Sequence, residues 1–189
     1  MIMRKQKDSN IFLKGRVNIL VGDITRQQVD AIVNAANATL MGGGGVDGAI
    51  HRAGGPAILE ACKVIRRSQF PDGLPTGQAV ITTGGKLPAR FVIHTVGPIY
   101  WEAGERAPAL LAACYQNSLK LTVEQGLKTV AIPAISTGVY GYPKEEAAAV
   151  SSTAITNFLT ADSSLTEVRL VFFSQGDAAV FMKHHKFSD

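Results

Sequence analysis

Short apolar runs alternate with longer segments of helical periodicity along most of this 189-residue chain. Strands are predicted over residues 11–13, 17–21, 31–33, 79–83, 90–96, 129–135 and 168–173. Helices are predicted from about residue 46, from 56 to just before Pro71, and over 107–125, 144–159 and 178–184. Strands that alternate with helices in this order predict an α/β fold, in which a mostly parallel sheet lies between two helical layers.

Two glycine-rich loops each follow a predicted strand and precede a predicted helix. In the first, seven of the fourteen residues from Gly42 to Gly55 are glycine, and four of them are consecutive. The second loop runs from Ser136 to Tyr142, and Pro143 suits the first position of the helix behind it. Bare backbone N–H groups and a helix N-terminus both favour anions, so each loop predicts a phosphate site. Two such loops on neighbouring strands would hold a diphosphate from both sides.

Three alternative roles for the first loop fit its residues less well. The spacing Gly43-x-Gly45-x-x-Gly48 matches the dinucleotide fingerprint, but no acidic residue ends a second strand about twenty residues later. No Gly-Lys-Ser/Thr follows the glycines, which excludes a P-loop. Close packing between two elements would account for a few glycines. It does not account for the polar residues around the loop, which are Asn34, Asn37, Asp47 and His51.

Four further residues need a choice between interpretations. Asp23 follows the strand over 17–21, where α/β sheets place their ligands, but it also suits the cap of a short helical segment from Thr25. Phe173 ends the last strand and either stacks on a base or belongs to the core. Ser136 is disfavoured as a nucleophile, because its surroundings lack the Gly-x-Ser-x-Gly pattern. His94, within a strand, is interpreted as a core or near-site histidine.

Composition narrows the class of protein. A net charge of +4 and a pI near 9.2 suit an anionic ligand, but the basic residues are too scattered to predict nucleic-acid binding. We expect one domain over 1–189, with a lead-in over 1–16 and a core over about 17–182. Cys62 and Cys114 are predicted to be reduced core thiols, and with no signal peptide or long apolar span we expect a cytoplasmic monomer that binds no membrane. No histidine lies near a cysteine along the chain, so no metal and no cofactor are predicted.

The motifs around both loops together resemble those of the macro domain family, and within it the MacroD-type branch. The matching segments are Gly-Asp-Ile-Thr at 22–25, Asn-Ala-Ala-Asn at 34–37, and the segments 42–53, 94–98 and 135–143. The resemblance extends from Val17 to about Phe181. It implies a three-layer α/β/α macro domain with a central mixed, mostly parallel sheet, and binding of ADP-ribose. In this branch it further implies hydrolysis of ADP-ribosyl esters, namely mono-ADP-ribosylated acidic side chains and O-acetyl-ADP-ribose.

The resemblance also implies roles for the residues that match the family motifs. Asp23 would accept the adenine amine, the Ile24 amide would support the ring, and Phe173 would lie beside the base. The diphosphate would be held by Gly44, Gly45 and Val46 on one side, and by Ser136, Thr137, Gly138, Val139 and Tyr140 on the other. Asn34 is grouped with these ligand-binding residues. The stretch Ser174-Gln175-Gly176 departs from a more acidic pattern in similar bacterial proteins, and this departure concerns the adenine side.

Three residues are assigned to catalysis by the same resemblance. Asn37 would bond the distal ribose, Asp47 would orient or deprotonate the attacking water, and His51 would steady Asp47. A carboxylate in the first turn of a helix is favoured in its charged form, so Asp47 would be a good acceptor for water but a weak base. The substrate's own phosphate would then share the water.

Two other functions compete with hydrolysis. A non-catalytic reader of ADP-ribosylated proteins would use the same binding loops, and only the combination of Asn37, Asp47 and His51 favours an enzyme over it. Binding of an RNA terminus or poly(A) would require a continuous Lys/Arg face with interleaved aromatic residues, which the chain lacks. ADP-ribosylated proteins or O-acetyl-ADP-ribose are therefore the expected partners.

Overall fold

The structure is a computed structural model that describes residues 10–188, and the first nine residues of the predicted lead-in lie outside that range. The strands in this range are β1 (Ile11–Phe12), β2 (Val17–Val21), β3 (Ala31–Ala36), β4 (Ala79–Thr83), β5 (Phe91–Val96), β6 (Thr129–Pro133) and β7 (Glu167–Phe172). The α-helices are α1 (Gly45–Gly54), α2 (Pro56–Ser68), α3 (Tyr100–Ala103), α4 (Ala107–Glu124), α5 (Lys144–Ala161) and α6 (Gln175–His184).

All of these strands form one sheet in the order β1-β2-β7-β6-β3-β5-β4. The neighbouring pairs from β2 through to β5 are parallel, whereas β1 and β4 pair antiparallel at the two edges. The mixed, mostly parallel sheet that the sequence predicted is confirmed. The carboxyl ends of β2, β7, β6 and β3 therefore lie side by side along one edge of the sheet, which is where α/β proteins bind their ligands.

Alternate residues of β3 face two different helical layers. Ala31 and Val33 pack into one apolar cluster with residues of α4, α5 and α6, whereas Ile32 packs into a second cluster with residues of α1 and α2. The predicted three-layer arrangement is thus confirmed. Side chains alternate along a strand, so Asn34 lies on the same face as Ile32, below α1. Its partner in the parallel register of β3 and β5 is His94.

Several predicted boundaries differ from the structure. Helix α6 begins at Gln175 rather than near residue 178, because Ser174 Oγ accepts a hydrogen bond from the Asp177 backbone N–H at 3.1 Å and so caps the helix. The Ser174-Gln175-Gly176 stretch is therefore the start of a helix. Pro143 is the cap of α5 rather than its first residue, and β6 ends at Pro133, so the second loop begins two residues earlier than predicted.

The two cysteines lie on opposite sides of the sheet. Cys62 in α2 and Cys114 in α4 are both buried and carry free thiols, as predicted. Between residues 10 and 188, none of the helices combines the length and the apolar character that crossing a bilayer requires.

Candidate active site

A cleft of about 550 Å³ opens at the carboxyl ends of β3 and β6, which are neighbours in the sheet. The first glycine loop and the start of α1 form one wall, and the second glycine loop forms the other. The lining residues are Ala35, Ala36, Asn37, Gly43, Gly44, Gly45, Val46, Asp47, Gly97, Ala134, Ile135, Ser136, Thr137, Gly138, Val139 and Tyr140. The fold therefore brings together Asn37, Asp47 and every residue that was assigned to the diphosphate.

The first wall presents the N-terminus of α1. The amides of Gly45, Val46 and Asp47 precede the first hydrogen bond of the helix, from Gly48 N to Gly44 O, so they have no acceptor within it. Gly44 has an ordinary φ of −98°, and within residues 10–188 no atom lies within 4 Å of the position that a Cβ would take. Neither backbone conformation nor packing requires a glycine here, and its effect is to leave the cleft open beside the amides.

The second wall is a loop that is held in shape by hydrogen bonds within its own backbone. Ser136 adopts a φ of +65°, which is uncommon for a residue other than glycine, and its carbonyl accepts a 2.9 Å hydrogen bond from Tyr142 N. A Cβ on Gly97 would collide with Ser136 Oγ, so a glycine at the end of β5 lets this loop lie against it. Among residues 10–188, no group hydrogen-bonds to Ser136 Oγ. Ser136 therefore has no neighbouring base that could activate it as a nucleophile. As at Gly44, no atom of the described part of the chain lies within 4 Å of the position that a Cβ on Gly138 would take.

Asp47 lies in the first turn of α1 and is only 5% exposed. Its Oδ1 accepts a hydrogen bond from Asn34 Nδ2 at 2.7 Å and lies 3.3 Å from His51 Nε2. A Cβ on Gly43 would be 3.0 Å from Asp47 Oδ2 and 3.3 Å from Asn37 Nδ2. Asp47 Oδ2 and the Asn37 amide therefore converge on the same point of the cleft wall. His51 lies one helical turn behind Asp47 and does not line the cleft.

Asn37 holds the first loop in shape. Its Nδ2 donates to Gly42 O at 3.0 Å, and its Oδ1 accepts from the Thr39 backbone N at 3.0 Å and from Thr39 Oγ1 at 2.5 Å. Such side-chain to backbone bonds are what asparagine commonly makes in turns. The predicted contact with the distal ribose would come in addition to this structural role.

Asn34 differs from its prediction as a ligand-binding residue. Its side chain is completely buried between β3 and α1, and it donates from Nδ2 to Asp47 Oδ1 and to His94 Nδ1, the latter at 3.1 Å. It therefore supports Asp47 from behind, because Asp47 lies between it and the cleft. The motif at 34–37 predicted that Asn34 belongs to the site, and the alternation of side chains along β3 places it below the surface of the cleft.

The fold also brings two histidines close to a cysteine, although they are far apart along the chain. Donor atoms of His51, Cys62 and His94 all lie within 4.8 Å of one another. Both ring nitrogens of His94 already have hydrogen-bond partners, with Nε2 2.9 Å from Thr82 Oγ1 and 3.7 Å from Cys62 Sγ. Burial, reinforced by the charge of Asp47, raises the pKa of the Cys62 thiol to about 12. These contacts satisfy His94, whereas His51 Nε2 has no hydrogen-bond partner among residues 10–188. The predicted lack of a metal stays a prediction.

The residues assigned to adenine lie outside the cleft at the ends of β2 and β7. Asp23 caps a short 3₁₀ turn, since its Oδ1 accepts from Thr25 N at 2.8 Å and from Thr25 Oγ1 at 2.6 Å. The hydroxyl bond is the main reason that the pKa of Asp23 is lowered. Ile24 is buried, whereas Phe173 is 89% exposed, so the interpretation of Phe173 as a core residue is wrong. A bond from Gly22 N to Phe172 O at 2.9 Å keeps the two strand ends together.

Sequence reasoning missed part of the cleft wall. The residues not predicted are Ala35, Ala36, Gly43, Gly97, Ala134 and Ile135. All of them flank or lie within quoted motifs, and most are small, so a search for small residues next to the loops would have found them. The contact between Asn34 and His94 could not be predicted from any local sequence motif, because it depends on the register of β3 and β5.

The chain is similar to known proteins over most of its length. A sequence model of the family described as Macro domain matches residues 33–151. An O-acetyl-ADP-ribose deacetylase of Escherichia fergusonii is 49% identical over 89% of this chain and 94% of that protein. The Oceanobacillus iheyensis macrodomain solved with ADP has a TM-score of 0.86 at 47% identity, covering 89% of this chain and 88% of the other. For the Trypanosoma brucei macrodomain in complex with ADP-ribose the TM-score is 0.81 at 39% identity, covering 89% and 68%. The chain belongs to the macro domain family.

Proposed function

We propose that this chain binds the ADP-ribose moiety of its substrates in the cleft and hydrolyses ADP-ribosyl esters. The proposed substrates are O-acetyl-ADP-ribose, which would be deacetylated, and proteins with mono-ADP-ribosylated acidic side chains. The observation that carries the proposal is the position of Asp47, a nearly buried carboxylate that lines a cleft between the two glycine loops. The name of the Escherichia fergusonii relative and the ligands of the two solved macrodomains support the same class of substrate.

The two walls are suited to a diphosphate. The first offers three helix-terminal amides, and a helix N-terminus attracts an anion through both these donors and its dipole. The second wall ends at α5, so it approaches the same ligand from the opposite side. Gly44 and Gly138 each leave part of one wall without a side chain, which would allow phosphate oxygens to approach the backbone closely. The adenosine part would then extend along the sheet edge towards β7 and β2.

Asp47 would act on the attacking water. Its Oδ1 is occupied by Asn34, whereas its Oδ2 faces the point where Asn37 converges, so Oδ2 is the atom available to accept a hydrogen bond from water. The water oxygen would attack the ester, and its proton would pass through Asp47 or a substrate phosphate oxygen to the departing hydroxyl group. A carboxylate is a weak base at neutral pH, so we propose that the substrate phosphate also takes part in this proton transfer.

Ligand binding is tested by thermal unfolding with ADP-ribose. A ligand at about a hundred times its Kd stabilises the folded state by about 2.7 kcal/mol, so Tm should rise clearly with concentration. ADP, which retains the diphosphate and adenosine, should raise Tm less. No shift of Tm with millimolar ADP-ribose would contradict the whole proposal.

Catalysis is tested by single-turnover assays on O-acetyl-ADP-ribose and on a mono-ADP-ribosylated protein. Wild-type chain should release acetate and ADP-ribose respectively, and Asp47→Asn, which keeps the shape of the side chain but not its charge, should release neither at a comparable rate. Asp72→Asn is the matched control, because Asp72 is an exposed aspartate outside the cleft. Tight binding of ADP-ribose without release of either product would instead identify a reader.

A further inference from the structure

Behind Asp47, a row of buried polar side chains crosses from one edge strand to helix α1. Thr82 on β4, His94 on β5 and Asn34 on β3 all lie on the α1 side of the sheet and are at most 5% exposed. The successive distances are 2.9 Å from Thr82 Oγ1 to His94 Nε2, 3.1 Å from His94 Nδ1 to Asn34 Nδ2, and 2.7 Å from Asn34 Nδ2 to Asp47 Oδ1. Buried polar groups are costly unless they are hydrogen-bonded, so the protons of this row must be arranged to satisfy its members.

The donors and acceptors of this row allow one assignment. An amide nitrogen carries two protons and no free lone pair, so both partners of Asn34 Nδ2 must accept. Asp47 Oδ1 accepts as a carboxylate oxygen. His94 Nδ1 must therefore be unprotonated, and the ring proton lies on Nε2, which donates to Thr82 Oγ1. The Thr82 hydroxyl in turn donates to Thr83 O at 3.1 Å.

His94 keeps this form over the working pH range. Burial, with a smaller effect from His51, lowers the pKa of His94 to about 3, so the ring remains neutral. While the Thr82 hydroxyl donates to Thr83 O and accepts from His94 Nε2, His94 Nδ1 carries a lone pair. The opposite orientation of Asn34 would then place its carbonyl oxygen between this lone pair and the Asp47 carboxylate, and three acceptors would meet without a proton. Asn34 Oδ1 finds no hydrogen-bond partner among residues 10–188, so its own acceptor does not decide the orientation.

We infer that His94 is a positioning residue of the proposed hydrolase: its unprotonated Nδ1 fixes the amide orientation of Asn34, which holds Asp47 Oδ1 so that Oδ2 faces the cleft. The inference rests on the proposed function, since it concerns the residue that would orient water. His94 touches no part of the cleft and acts only through Asn34. It contributes geometry, because a displacement of about 1 Å at a reacting group is enough to cost about a hundred-fold in rate.

Two substitutions of His94 separate this role from packing. His94→Asn retains an oxygen acceptor near the position of Nδ1 but loses the contact with Thr82. His94→Gln fills more of the space of the ring and reaches towards Thr82, but it leaves no acceptor near Asn34. If His94 positions Asn34, kcat should fall by about a hundred-fold in His94→Gln and by less than about ten-fold in His94→Asn. The Kd for ADP-ribose should stay nearly unchanged in both, because neither wall of the cleft is altered.

A packing role predicts the reverse order, since the larger glutamine fills more of the cavity left by the ring. Melting temperatures of both variants measure that contribution directly. The inference is overturned if kcat follows the melting temperatures, if both variants keep wild-type kcat, or if loss of kcat is matched by equal loss of affinity. It is also overturned if a chelator inactivates the wild-type chain, since the cluster would then act through a metal ion.

A double-mutant cycle with Asn34→Leu makes the test independent of any one variant. If His94 acts through Asn34, the double variant His94→Gln with Asn34→Leu should be no slower than Asn34→Leu alone. Rate losses that multiply would overturn the inference. A wild-type chain that binds ADP-ribose but hydrolyses nothing would overturn the proposed hydrolase as well, whereas an active wild type with additive losses would overturn only the role of His94.

Discussion

At one end of the ligand-binding edge, Asp47 is almost buried and contacts Asn34 and His51. At the other end the carboxylate of Asp23 is partly exposed and the ring of Phe173 lies on the surface. The first group is held by β3, β5 and α1, so its geometry is part of the core. The second is held by strand ends and a short 3₁₀ turn. After the roles proposed for their residues, we call these the catalytic end and the adenine end.

The difference has a physical consequence for the proposed reaction. Groups that act in a transition state need fixed positions, and burial in the core supplies them without any ligand. Groups that hold a base need only to be within reach, and an exposed ring such as Phe173 can move onto its ligand at little cost. Substitutions at the catalytic end should therefore change rate, and those at the adenine end should change affinity.

The largest effect is expected for Asp47→Ala. An interaction made only in the transition state lowers kcat and leaves binding nearly unchanged, so activity should fall by about a hundred- to ten-thousand-fold while ADP-ribose still binds. Affinity should even rise slightly, because a negative charge beside the diphosphate is removed. Single-turnover hydrolysis and calorimetry on the same preparation measure the two effects.

Asn37→Ala is the contrast within the catalytic end, since Asn37 both shapes the first loop and lies in the cleft wall. It should lose affinity as well as rate. If Asp47→Ala lost binding in step with activity, Asp47 would instead be a structural residue of the glycine loop, and the comparison between the two ends would fail.

Much of this comparison was accessible from the sequence, because it depends on local patterns. The glycine loops, the strands before them and Asp47 in a first helical turn are all encoded by neighbouring residues. The supporting role of Asn34 was not accessible, because it requires the alternation of β3 and its register with His94. The start of α6 was misplaced for a similar reason: Ser174 acts as a cap only through its bond to Asp177 N.

The second-largest effect expected is a pH dependence of the free energy of unfolding, which should come from the catalytic end and not from the adenine end. The folded-state pKa of His94 is about 3, well below its ordinary value of 6.5, because burial disfavours the charged ring. Between these two pH values the unfolded chain binds a proton that the folded chain does not. The free energy of unfolding should therefore be highest above pH 6.5 and should fall as pH falls towards 3. The slope should approach about 1.4 kcal/mol per pH unit.

Urea unfolding between neutral pH and about pH 5 measures this slope, and His94→Asn, which removes the titrating ring, is the control. The difference in unfolding free energy between the two proteins should shrink as pH falls. The lowered pKa of Asp23 adds stability that is lost only below its ordinary value of 3.8, so the adenine end should not contribute in this range. A difference that is constant with pH would mean that His94 is not kept neutral by burial.

The third effect concerns Asp23. If its carboxylate binds the adenine amine, Asp23→Ala should weaken ADP-ribose binding by about ten- to a hundred-fold, as expected for a lost hydrogen bond to a charged group. The value of kcat at saturating substrate should not change. Asp23→Ser is the matched control, because serine caps a helix about as well as aspartate but has no charge. Wild-type affinity in Asp23→Ser would show that Asp23 is only the cap seen in contact with Thr25.

The smallest effect is expected for Phe173, which lies next to the end of β7. The ring is 89% exposed, so Phe173→Ala should leave the melting temperature unchanged. Stacking of two aromatic groups contributes about 0.5–1.5 kcal/mol, so the Kd for ADP-ribose should rise by about two- to ten-fold. Phe173→Tyr keeps a stacking face and should bind as the wild type does, whereas Phe173→Leu keeps apolar area without an aromatic face and should resemble Phe173→Ala. Ribose 5-phosphate, which lacks the base, should bind all four proteins equally. If Phe173→Ala weakened binding of that ligand too, the ring would act by shaping the loop, and the adenine end would then be as structurally fixed as the catalytic end.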